Sequence, residues 1–182
     1  MNTTSAQYAE ADRRLTGVLA AVPAERWSSP SPCDEWSARD VVWHLIETQR
    51  DLLTARDIDL GEPPDKDGDP AAAWREHGGR VGTVLSDDTV PATEFDGYFG
   101  PTTVGATLEQ FYIWDMLVHR WDIARAAGVE AGLSDVELDR IDQGADSFGD
   151  GLYMEGICRP GVEAPPDATR AARVLARLGR KA

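Results

Sequence analysis

Asp115 and His119 stand four residues apart in an otherwise largely apolar stretch that runs from Leu108 to Gly128. On an α-helix that spacing puts carboxylate and imidazole on one face a turn apart, where both can converge on a single point. A metal ion is one occupant of such a point, and a structural ion pair is the other. Two donors do not define a metal site, so a third is needed. His44 is the candidate, because it falls beside Val41 and Leu45 on the inner face of an earlier helical segment. Two imidazoles and a carboxylate suit zinc, nickel or iron(II). Three protein ligands leave coordination positions open, as in a catalytic site, whereas structural zinc normally has four. The bare pattern gives core histidines plus an ion pair equal standing.

Several neighbours extend the constellation. Asp122, three residues past His119, can orient an imidazole N–H or shuttle a proton, with an arginine ion pair as the alternative. Arg120 and Arg125 can hold a substrate carboxylate, although surface salt bridges are the commoner fate of such residues. Tyr112 and His77 are further candidates for a substrate pocket. A lone histidine on an apolar face, as His77 is, is more often a hydrogen-bonded core residue.

The elements that must position these residues read as helices. Tyr8, Ala11, Leu15, Val18 and Val22 recur at three- and four-residue steps, which predicts an amphipathic helix from about Thr4 to Val22, ended by Pro23. The Pro/Ser-rich connection that follows carries Trp27 and Trp36, which are costly to leave in water, so the loop is expected to pack on the bundle. Ser37 with Asp40 forms a variant capping box and opens a second helix running to about Asp57. Residues 61–70 have almost no apolar content and read as an exposed loop. Asp65, Asp67 and Asp69 there resemble the start of a calcium loop, but no glutamate closes the pattern. A third helix spans about Asp69 to Leu85, weakened by Gly78 and Gly79 at roughly 1 kcal/mol each relative to alanine.

Residues 86–102 read as an irregular aromatic loop, and the long helix then runs from about Thr103 to Ala127, stopped by Gly128. Ser134 caps a fifth helix with an inner stripe of Leu138, Ile141, Ala145, Phe148 and Leu152 and acids on its outer side. A sixth starts after Asp167, and its Arg170, Arg173 and Arg177 are placed to meet those acids. No segment alternates at period two, so no sheet is expected. The chain reads as all-α, one domain over residues 1–182.

Acids exceed bases by 32 to 18, a net charge of −14, which repels a phosphate backbone and argues against nucleic acid as a partner. No run of about 18 apolar residues exists to span a bilayer, and the first residues lack a signal-peptide pattern. A cytoplasmic protein acting on a small molecule is the expectation, with pairing of two copies through their helices left open. Cys33 and Cys158 have no CxxC partner and suit a reducing compartment.

Three segments carry a family resemblance. Trp27 and the run Ser31-Pro32-Cys33 through His44-Leu45 resemble the entry to the second helix in the DinB/YfiT-like metalloprotein superfamily. Asp115 to Gly128 resembles the matching segment of its mycothiol-dependent maleylpyruvate isomerase branch, and Pro165 to Arg180 is similar to the ending of short actinobacterial members. The resemblance implies a DinB-like four-helix bundle with additional C-terminal helices. It also implies a divalent metal (zinc, nickel or iron) held by His44, Asp115 and His119, with mycothiol as cosubstrate. The isomerase branch has glutamate where this chain has Asp115, a carboxylate one methylene shorter that calls for a closer helix approach. The isomerase also carries a further C-terminal domain that this chain lacks. The function so implied is a metal-dependent thiol S-transferase or isomerase acting on a small electrophile. The alternatives are a thiol-independent metal hydrolase, isomerase or tailoring enzyme, and a non-catalytic ligand-binding or stress-related bundle.

Overall fold

The computed structural model describes residues 2–154 and 157–181. Helix α1 (Thr3–Ala21) is capped by Asn2, whose side chain accepts from the Ser5 amide. Helix α2 (Ala38–Thr54) opens on the Ser37–Asp40 capping box expected from sequence. Asp69 caps α3 (Pro70–Val84) by accepting from the amides of Ala71 and Ala72. The long helix comes as α4 (Val104–Thr107), a wide π turn over Leu108–Tyr112, and α5 (Ile113–Ala127), ended by Gly128 in the left-handed region at φ 73°. In the π turn the Ile113 amide donates to the Leu108 carbonyl, which re-phases the helix just before Asp115.

These helices form a ring. α5 packs against both α1 and α2, and α3 packs against the same two from the other side. Tyr8, Leu15, Val41, Leu45, Leu53, Trp74, Val81 and Ile113 fill the centre. The opposite flank of α5, with Trp114, Leu117, Val118 and Trp121, builds a second apolar cluster with Leu138, Ile141, Ala145 and Leu175. Those partners come from α6 (Asp135–Phe148) and α7 (Arg170–Arg177). A helix apolar on every side is a buried helix, so α5 is the central element of a bundle with added C-terminal helices.

The outer layer is tied on by charge. Arg170 pairs with Asp135 and Asp139, and Arg177 with Asp142 and Asp146, so arginines seven apart on α7 meet an acidic edge of α6. Arg173 instead donates to the Ala168 carbonyl.

One expectation is corrected. The stretch before α4 contains an antiparallel hairpin of β1 (Glu94–Gly97) and β2 (Gly100–Thr103), with Gly97 opposite Gly100. Tyr98 and Phe99 form its two-residue turn and are 83% and 71% exposed. Four-residue strands, one carrying Pro101, are too short to register as alternation. Gly100 at φ +111° takes a backbone conformation that side chains resist.

The contact between α5 and α6 supplies a stability prediction. A Cβ on Gly144 would lie 2.3 Å from Cδ1 and Nε1 of Trp114, whose indole N–H donates to the Ile141 carbonyl at 3.0 Å. Gly144→Ala is expected to cost about 1–3 kcal/mol by overpacking despite better helix propensity. Gly82→Ala, with nothing within 4 Å, is expected to stabilise by about 0.4–1 kcal/mol. Denaturant melts of the two variants check the opposite signs.

Candidate metal centre

α2 and α5 are in direct contact, and Asp115 reaches both imidazoles across that seam. Its Oδ2 lies 3.1 Å from His44 Nε2 and its Oδ1 lies 3.2 Å from His119 Nε2. The short carboxylate therefore spans the gap, because the helices approach closely enough. One donor atom from each of His44, Asp115 and His119 lies within 4.8 Å of the others. Four ligands at about 2.0–2.1 Å around tetrahedral zinc stand about 3.3 Å apart, so the two N···O separations, which are also those of direct hydrogen bonds, suit ligands to one ion. The donor set fits a divalent metal.

The far side of His119 is built to orient it. Nδ1 lies 2.9 Å from Asp122 Oδ2, and the carboxylate there is fully buried. With the Nδ1 proton donated to Asp122, Nε2 is the ring nitrogen turned toward Asp115 and the one available to an ion. Asp122 is held in turn by Arg180, whose Nη2 donates to Oδ2 at 3.0 Å and Nε to Oδ1 at 3.3 Å. Cys33 Sγ donates to the same Oδ2 at 3.3 Å and stands 3.9 Å from His119 Nδ1. Arg180 reaches both cysteines, 3.6 Å from Cys33 Sγ and 3.6 Å from Cys158 Sγ.

Cys33, His119 and Asp122 form a second set of potential ligands on the Nδ1 side. Arg180 already fills that side with a fixed positive charge against both Asp122 and Cys33, which repels a cation. The Nε2 side is the one whose donors fit an ion. Trp36 covers it, its ring 4.8 Å from the His44 ring and 6.2 Å from that of His119. The loop carrying Trp36 and Cys33 is folded back by the Pro30–Ser37 bridge and by Ser31 N–H donating to the Trp36 carbonyl at 2.8 Å.

Burial alone would lower the His119 pKa, but Asp115 first, then Asp122 and Cys33, hold it well above the ordinary value. Burial alone would raise Asp115, yet His119 and His44 keep it far below the usual carboxylate range. Asp122 is held low in the same way, by His119 and then Arg180.

The other candidates are scattered. His77 lies in the bundle core, away from the centre, with Nε2 3.0 Å from Gln49 Oε1, which also accepts from the Tyr8 hydroxyl at 2.9 Å. Burial, then Arg50 and Arg80, push its pKa down to about 3. Arg120 is buried on the α6 side of α5, paired with Glu137 at 2.9 Å. Arg125 is exposed beside the Trp121 ring. Tyr112 lines a cavity next to the centre. Asp65 accepts from the Asp67 amide and Asp69 caps α3, so neither stands as a cation site. Cys33, Trp36 and Arg180 also border the cluster, and the sequence assigned them no role there.

The two histidine shifts have opposite consequences for the metal-free protein. His77, folded pKa about 3 against an ordinary value of about 6.5, contributes stability that is complete above pH 6.5 and lost as pH falls. His119, raised above about 6.5, contributes stability that is complete below that pH and lost as pH rises through its folded value. Metal-free protein is expected to melt at its highest temperature near pH 6.5. His77→Gln should flatten the acid limb; a melting temperature that changes monotonically from pH 4 to 9 would contradict the assignment.

The family described as mycothiol maleylpyruvate isomerase N-terminal domain matches residues 8–124. The chain belongs to that family. The matched span of the mycothiol maleylpyruvate isomerase N-terminal domain holds Cys33, Trp36, His44, Asp115, His119 and Asp122, whereas Cys158 and Arg180 lie beyond it. Uncharacterized protein Rv0036c of Mycobacterium tuberculosis is 29% identical over 137 residues, 63% of this chain and 52% of that protein. Uncharacterized protein Rv0738 of the same organism is 26% identical over 145 residues, 72% of this chain and 70% of that protein. The chain thus spans about half the length of the first of these relatives. No solved structure matches. Among the described residues no helix is long and apolar enough to cross a membrane.

Proposed function

We propose that this chain is a divalent-metal-dependent enzyme that joins the sulfur of a low-molecular-weight thiol, mycothiol or a close analogue, to a small electrophile. The observation that carries this reading is the convergence of His44 Nε2 and His119 Nε2 on the two oxygens of Asp115. His119 is also oriented from behind by Asp122. When bound to these three residues, a divalent ion would favour thiolate over thiol, whose ordinary pKa is about 8.5, and so supply the nucleophile at neutral pH. Family membership supports mycothiol as the thiol.

The chain's own residues do the rest. Asp122 accepts the Nδ1 proton of His119 and keeps that ring from rotating. Arg180 occupies both oxygens of Asp122, so the carboxylate stays ionised in a buried setting. Trp36 lies over His44 and limits the access of water to the imidazole pair. His44 and Asp115 remain 27% and 24% exposed at the side chain, which leaves a path for substrate.

The test is conjugation of 1-chloro-2,4-dinitrobenzene by metal-loaded protein with mycothiol, with cysteine and with no thiol. In the reaction read, a C–S bond forms as chloride leaves and the thiol proton passes to solvent. Metal-dependent turnover that requires a thiol is expected. Metal-dependent consumption of the electrophile without thiol would replace this reading by hydrolysis.

A further inference from the structure

Next to the metal centre lies a cavity of about 640 Å³, within the range of about 300–1,000 Å³ usual for small-molecule sites. Its floor is the end of α2 and the π turn, and its roof is the hairpin. Phe95, Phe99, Phe111 and Phe148 supply an aromatic wall. Phe99 lies roughly parallel to Phe111 with centroids 6.2 Å apart, and Phe111 meets Phe148 edge-on at 5.4 Å.

One cation reaches into this apolar space. Arg56 lines the cavity with its guanidinium carbon 3.5 Å from the centroid of the Phe95 ring. Nη1 donates to the Leu52 carbonyl at 2.6 Å, while Nε is buried without a partner. Among the described residues no carboxylate pairs with Arg56, in a chain where acids outnumber bases 32 to 18. Asp96, the acid on the lining, is exposed on the hairpin. A guanidinium fixed against an aromatic face on a cavity lining, with no carboxylate partner of its own, is suited to receive a carboxylate.

We propose that this cavity binds a small aryl or alkyl carboxylate, with its carboxylate on Arg56 and its apolar body among the four phenylalanines. Tyr112, on the lining, precedes Asp115 by three residues in the chain. As an assignment of the substrate class, this rests on the metal chemistry proposed above; as a binding site it does not.

The test uses the full chain stripped of metal, titrated with 2-naphthoate and with its neutral counterpart 2-naphthamide. Naphthoate is expected to bind at least tenfold more tightly than naphthamide. Arg56→Met is expected to abolish that preference while leaving naphthamide affinity within twofold, a readout that misfolding cannot imitate. Failure of naphthoate to bind, equal binding of both by the unaltered chain, or a preference that survives Arg56→Met would overturn the site. Metal content is measured separately. Naphthoate binding by a chain that takes up no metal keeps the cavity and sinks the metal chemistry, and the converse result keeps the metal chemistry and sinks the cavity.

Discussion

Replacing His119 by alanine is expected to lower zinc affinity by at least about 100-fold, beyond the roughly 10–100-fold usually lost with an outer hydrogen-bond partner. Its Nε2 lies 3.2 Å from Asp115, and among the described residues His119 is the only imidazole held by a buried carboxylate behind it. Alanine also strands Asp122, which is fully buried, so His119→Ala should lose stability as well. His44→Ala separates the two effects. That side chain is 27% exposed and faces Asp115 alone among carboxylates, so metal affinity should fall comparably with a far smaller change in melting. His77→Gln, at a core position outside the centre, should leave zinc affinity unchanged. Competition with a chromogenic chelator measures all three.

Arg180→Met is expected to produce the second large effect. The arginine is 7% exposed and forks onto both oxygens of Asp122. Removing one member of a buried pair costs about 3–5 kcal/mol, because the remaining charge is left uncompensated. Zinc affinity should also fall by about 10–100-fold as Asp122 loses its fixed position behind His119. Asp122→Asn alone strands Arg180 instead. The double variant should be less destabilised than the sum of the two singles, the signature of a directly coupled pair. Additive losses in urea unfolding would mean that Arg180 acts elsewhere.

The fold was legible where local chemistry decides it. Ser37 with Asp40, Ser134 and Gly128 mark helix ends by side-chain or backbone geometry that a few residues determine. The hairpin escaped because its four-residue strands are too short for a period to emerge. The π turn escaped because a single extra residue leaves the apolar spacing nearly intact. At the site, His44, Asp115 and His119 share a seam because their helix faces do, and periodicity reports faces. Cys33, Trp36 and Arg180 arrive from a loop and from the chain's far end. Such long-range approaches leave no trace in local spacing. The same limit explains Arg120, whose helical position carried no sign that its partner would be Glu137 on α6.

An ion bound by this chain is expected on the Nε2 side of His119, between two imidazoles and a carboxylate, and not on the Nδ1 side with Cys33. X-ray absorption at the zinc edge of untagged, zinc-loaded protein tests this most directly. The expected result is one ion per chain with nitrogen and oxygen neighbours at about 2.0–2.2 Å, including the scattering pattern of two imidazoles. A sulfur neighbour at about 2.3 Å, or no saturable ion, would contradict it.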